Sequence, residues 1–166
     1  MNRKIIFIIL ILGIILIGVG YMILQSNFLH TKIQYENIEF LNRDDVFGCG
    51  RHLSGGLLNL GDSFVVDSQE EYKKLQSDTI KSFNCEWNTL PPEIDFSKKT
   101  LLGNHASGGG CSIDFKKKVY QDDSNKKIIH SVKVVEKGRC DKLGSSMNWV
   151  IIQKVPSDYS VEFEVK

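Results

Sequence analysis

The chain has 166 residues, 42% of them hydrophobic, and 21 basic against 20 acidic side chains, for a formal net charge of +1. Arg3 and Lys4 precede every acidic residue, so the remainder of the chain carries 19 basic and 20 acidic groups, a net of −1. That balance excludes a basic nucleic-acid-binding face. The clusters Lys98-Lys99, Lys116-Lys117-Lys118 and Lys126-Lys127 stand beside Asp95, Asp114, Asp122 and Asp123 and read as solvated loops and strand ends.

The chain opens with a short basic head, residues 1–4, followed by Ile5 to Leu24, a run without a charged or strongly polar side chain. About twenty helical residues match a hydrocarbon core of roughly 30 Å, whereas a cleaved secretory apolar region is usually about 7 to 15 residues. The expectation is a single uncleaved transmembrane helix over 5–24, with Arg3 and Lys4 cytoplasmic and everything after Gln25 extracytoplasmic. The alternative is a signal peptide. Gly18 and Gly20 have the size that a signal peptidase requires, and cleavage there releases a secreted protein starting at Tyr21. Lipidation is closed because the first cysteine is Cys49. Residues 25–31 form a short polar linker, and residues 32–166 make one extracytoplasmic domain of common size.

Within that domain, Ile33 and Tyr35 alternate, and Ile38 and Phe40 resume in the other phase, which predicts a first strand with a bulge or kink. Asn42 to Gly61, with five glycines, is a long loop in which Leu57-Leu58-x-Leu60 could pack as a short strand. Phe64-Val65-Val66 is a strand. Ser68-Gln69-Glu70-Glu71 matches a capping box and predicts a short helix to about Gln76, with Tyr72 and Leu75 on the buried face. Pro91-Pro92 forbids helix or central strand, so 77–99 is read as an irregular crossing segment.

Beyond it come five strands: Thr100–Asn104, Cys111–Tyr120, Lys127–Glu136, Asn148–Lys154 and Tyr159–Val165. In the second, Cys111, Ile113, Phe115, Lys117 and Val119 share one face and Ser112, Asp114, Lys116 and Lys118 the other; Val161, Phe163 and Val165 alternate likewise with Ser160, Glu162 and Glu164. The fold class is therefore α+β, mainly antiparallel β-sheet with one short helix, behind a single N-terminal transmembrane helix.

Cys49, Cys85, Cys111 and Cys140 all follow the apolar run, and an even count on the oxidising side of a membrane reads first as disulfides. If the hairpin turn centres on Asp123-Ser124, Cys111 lies opposite about residue 136 and Cys140 at the next bend can reach it, leaving Cys49 with Cys85. A mixed zinc site through Cys49, His52, His105 and Cys111 and free buried thiols are the alternatives. A cysteine hydrolase would need a thiolate beside a histidine, and His105 and Cys111 are the nearest such pair in sequence. The same four cysteines are more consistent with bridges than with a nucleophile, and no catalytic residue, metal site or cofactor is assigned. Ser107-Gly108-Gly109-Gly110 lacks the strand-before and helix-after context of a phosphate loop. It reads as a glycine loop or bulge between strands, and His105, Ser107, Gly108, Gly109 and Gly110 form the candidate binding loop, because extended glycine backbone can approach a partner closely. An exposed sheet edge is an equal contender.

Three stretches carry a resemblance: Val66-Asp67-Ser68 leading into Glu71-Tyr72, Ile94-Asp95-Phe96-Ser97 ahead of a hydrophobic strand, and Gly109-Gly110-Cys111-Ser112-Ile113. Over about 66 to 155, including Trp149-Val150 and Lys154-Val155-Pro156, the chain resembles the β domain of bacterial protease-complex-associated proteins of the PrcB C-terminal type. It departs from that pattern at Cys111, where the family more often has Tyr. It is also similar to small uncharacterised bacterial envelope proteins. The resemblance implies a non-catalytic protein-binding module, protease-associated or inhibitory, whose partners are the membrane through residues 5–24 and a protein such as an envelope protease. A structural envelope component, a thiol-dependent hydrolase and a zinc-binding protein are the other classes.

Overall fold

The computed structural model describes residues 32–35, 38–41, 63–83 and 91–166, with side chains in the helix to residue 79. The expected membrane helix, the loop at 42–61, Cys49 and Cys85 lie outside the described residues. Among those described, no helix is long and apolar enough to cross a membrane.

The strands are β1 (Ile33–Gln34), β2 (Glu39–Leu41), β3 (Ser63–Val66), β4 (Lys99–Gly109), β5 (Ser112–Asp122), β6 (Lys127–Lys137), β7 (Leu143–Gln153) and β8 (Ser160–Val165), with one helix, α1 (Gln69–Phe83). They form two four-stranded sheets, β1-β5-β6-β8 and β2-β7-β4-β3. Every pairing is antiparallel except β6 with β8, which is parallel. The expected single antiparallel sheet is thus corrected to two sheets with one parallel pair. The reason is the route of the chain. It leaves the first sheet after β6, runs back through β7 in the second, and returns beside β6 in β6's own direction.

The second sheet is covered on both faces. Toward the first sheet it presents Leu102, Val150 and Ile152, which pack with Val119, Ile128, Val161 and Phe163. Its other face, carrying Leu101, Met147, Trp149 and Ile151, packs under Tyr72 and Leu75 of α1 and under Ile94 and Phe96 of the irregular 91–98 segment. Met147 to Ile152 are consequently all buried, and β7 reads as a continuous run rather than an alternation.

α1 begins as the sequence predicts: the Glu71 amide donates to Ser68 Oγ at 3.2 Å. The return bond reaches one residue further than a standard capping box, with the Asp67 amide donating to Glu71 Oε2 at 2.9 Å. The helix runs to Phe83 instead of ending near Gln76. Its buried stripe continues through Gln76 and Thr79, and Thr79 Oγ1 satisfies itself by donating to Leu75 O at 2.8 Å. A polar buried face escapes a hydrophobic-periodicity count. The expected kink between Ile33 and Phe40 is a change of sheet: β1 pairs with β5 in one, β2 with β7 in the other.

Lys117 lies on the interior face of β5, where the alternation put it, and spans the gap between sheets. Its ammonium donates to Leu41 O at 3.1 Å and Trp149 O at 3.4 Å and sits 5.5 Å from the Phe40 ring centroid. The alkyl stem stays among apolar side chains while the charge reaches carbonyls of the opposite sheet.

Close packing is tightest where Gly103 of β4 faces Trp149 of β7, its direct register partner. A Cβ at Gly103 would stand 2.3 Å from Trp149 Cζ3, so the fully buried indole occupies the space any other residue would need. Gly103→Ala is expected to lower the unfolding free energy by about 1–3 kcal/mol. Gly109→Ala, whose Cβ would meet only ordinary contacts at 3.8 Å, should stay within roughly 0.5 kcal/mol. Chemical denaturation of the two variants beside the parent checks the contrast.

Candidate binding site

One end of the sandwich gathers the glycines that the sequence singled out. His105 to Gly109 are the last residues of β4, paired through Gly109↔Leu143, so the expected loop is corrected to a strand. Only Gly110 turns, with φ of 121°, its amide donating to Lys142 O at 3.0 Å. The strand persists because β7 supplies a ladder partner for each of these residues; Leu143-Gly144-Ser145-Ser146 has turn-like composition but extended backbone.

Gly108 and Gly144 are direct partners on the interior face, and both are small for a packing reason. A Cβ at Gly108 would meet Val134 Cγ1 at 2.7 Å, and one at Gly144 would meet Ile113 Cδ1 at 2.9 Å. The missing side chains let β5 and β6 close down at this end. Glu136 then reaches across from β6 to accept the Gly109 amide at 2.6 Å, a charge-assisted bond joining the two sheets.

The disulfide fixes the same end. Cys111 and Cys140 are bonded with a Cα–Cα distance of 4.7 Å across a sequence separation of 29. The pairing matches the hairpin expectation, although the register, Ser112↔Lys137, centres the turn on Ser124-Asn125, one position later than Asp123-Ser124. At that turn Asp122 accepts from the Asn125 amide at 3.0 Å and Lys126 takes a φ of 51°. Gly138, with φ of 78°, lies against the disulfide, where a Cβ would come within 2.5 Å of Cys111 Sγ. The leftover Cys49 and Cys85 lie outside the described residues.

Three shallow grooves open here. One of about 390 Å³ lies between Ser107, Gly108 and Gly109 of β4, Glu136 of β6 and Leu143 to Ser145 of β7. A second of about 340 Å³ runs past Gly110, Cys111, Ile113 and Lys142 and shares Gly144 and Ser145 with the first. A third of about 480 Å³ opens on the β3–β8 side, lined by Ser63, Asn104, His105, Ser107, Phe163 and Val165. All five predicted positions, His105, Ser107, Gly108, Gly109 and Gly110, therefore line grooves. Glu136, Leu143, Gly144 and Phe163 were not foreseen, because strands distant in sequence supply them. Leu143 at the rim is 87% exposed, the most exposed large apolar side chain described.

The chemistry of this end is polar backbone, the four serines Ser63, Ser107, Ser112 and Ser145, and a bridging carboxylate. Cys111 is oxidised and offers neither a thiolate nucleophile beside His105 nor a zinc ligand. Among the described residues no group of three or more His, Cys, Asp or Glu side chains is placed to hold a metal ion; Cys49 and His52 lie outside them. Trp149 is core, packed 5.7 Å from the Phe64 ring centroid.

Fold and site together define a disulfide-stapled two-sheet sandwich with a helix on one face and a grooved glycine end. No family model matches the chain, and neither a curated protein nor a solved structure matches it.

Cys140→Ser opens a loop whose closure is worth about 3–4 kcal/mol by chain entropy. Unfolding of the variant is expected at correspondingly lower denaturant, with reductant lowering the midpoint of the parent at least as far. Equal midpoints with and without reductant would contradict a structural role for this bridge.

Proposed function

We propose that this protein is a non-catalytic binding module, held at the outer face of a cell membrane by residues 5–24, whose glycine end takes a protein partner. The observation that carries this is Leu143: a large apolar side chain standing 87% exposed beside grooves lined by Gly108, Gly109 and Gly144. An exposed apolar side chain beside accessible extended backbone can serve as an anchor in protein recognition. The oxidation of Cys111 supports the same reading by removing the thiol that the hydrolase alternative used. The resemblance to the protease-complex-associated type proposes an envelope protease as the partner, in an associated or inhibitory role. Retention of the apolar run makes the protein single-pass, and cleavage near Gly20 would make it secreted with the same binding end.

A photo-crosslinking residue at position 143, in the full chain in its native membrane, is expected to give a discrete adduct containing a protease. Gly109→Arg should remove that adduct without shifting the melting temperature, since position 109 has room for a side chain. An adduct that survives Gly109→Arg, or turnover of the crosslinked protein by this chain itself, would overturn the proposal.

A further inference from the structure

His130 is fully buried in the middle of β6, and neither ring nitrogen has a hydrogen-bond partner among the described residues. A neutral imidazole in such a place forgoes its hydrogen bonds; a protonated one also carries a charge with nothing to compensate it. Among the described residues the surroundings offer no relief. From β5, Val119 stands directly opposite and the cation of Lys117 shares the same interior face. From β8, Phe163 is the register partner, its ring 6.0 Å away centroid to centroid, while Glu162 and Glu164 alternate onto the other face. From β4 and β7 the residues facing this interior are Leu102, Asn104, Asn148 and Val150, none of them titratable. Asn104 Nδ2 donates to His130 O at 3.4 Å and to Glu164 O at 3.1 Å, so it joins β6 and β8 through their backbones and leaves the imidazole alone.

We propose that His130 is an acid-sensitive latch on β8: protonation of its ring opens the β8 edge of the sandwich, hydrating the imidazole and widening the groove beside Phe163. β8 is the element that gives because it is an edge strand whose ladder runs to β6 alone among the described residues, with one further bond from Asn104, whereas β5, β4 and β7 are each paired on both sides. Phe163 is also the wall between His130 and the 480 Å³ groove, so its displacement is a short route to water. Opening exposes Val161, Phe163 and the unpaired edge of β6, which makes access to this side of the molecule dependent on pH.

Burial first, and Lys117 second, lower the His130 pKa from its ordinary 6.5 to about 4. The closed form is therefore favoured in full above pH 6.5, and that preference is lost as pH falls from 6.5 toward 4. At pH 5 the open population should have risen roughly 30-fold over its value at pH 7.5, the ratio those two affinities for a proton give. The carboxylate of Glu164 is held below its usual range mainly by its hydrogen bond with Lys166.

The test is hydrogen exchange of the full chain in detergent at pH 7.5 and pH 5, expressed as protection after correction for intrinsic rates. Amides of β8 should lose roughly 30-fold in protection while those of β4 and β7 hold, and His130→Phe should abolish the change. Loss of protection in β8 that is the same in His130→Phe, or that occurs equally in β4 and β7, would overturn the latch. Should His130→Phe not fold, titration of the His130 ring by NMR in the unmodified chain decides: a midpoint near 6.5 with β8 still protected contradicts the proposal.

Discussion

The ladder between β4 and β7 is the constraint on which the rest of this molecule depends. It runs unbroken from Lys99↔Gln153 to Gly109↔Leu143, and its middle is buried on both faces. One face can be covered only by another sheet and the other only by α1 with the 91–98 segment, so a three-layer arrangement follows from two strands that have no wet side. Burial on this scale needs narrow spacing, and Gly103 under Trp149 supplies it on the helix side as Gly108 and Gly144 do toward the other sheet.

Glycines that look in the sequence like a flexible binding loop are therefore first a packing device. Their consequence for function is indirect. Because β4 and β7 carry no side chains at 108 and 144, their backbone is reachable at the end where Glu136 and the Cys111–Cys140 bridge hold the layers together. Rigid, extended backbone beside an exposed Leu143 loses little entropy on engaging a partner, which suits the end to recognition.

Much of the fold was legible where one face of an element is wet. The alternation in β5 assigned Ile113, Phe115, Lys117 and Val119 inward correctly but extended one step too far to Cys111, which is exposed just before the strand; Ser68 and Glu71 marked the start of α1, and hairpin geometry joined Cys111 to Cys140. What escaped had physical reasons. β4 and β7 were each read five residues short at the glycine end because Ser-Gly and Gly-Ser composition signals turns, and only a ladder partner overrides it. Gln76 and Thr79 hid the second half of α1 by being polar on its buried face. The parallel β6–β8 pair and the split into two sheets depend on pairings between distant strands, which local periodicity does not encode. The site residues on β4 were visible as a glycine run; Glu136 and Leu143 were not, since nothing near them in sequence says that they meet it.

The most direct test of this account is denaturant-dependent hydrogen exchange at pH 7.5, strand by strand. The account predicts that the central amides of β4 and β7 are the slowest in the molecule and exchange only through global unfolding. If β5 and β6 proved more protected, or if β4 and β7 opened at low free energy while the rest held, the claim that this doubly buried ladder organises the structure would be contradicted.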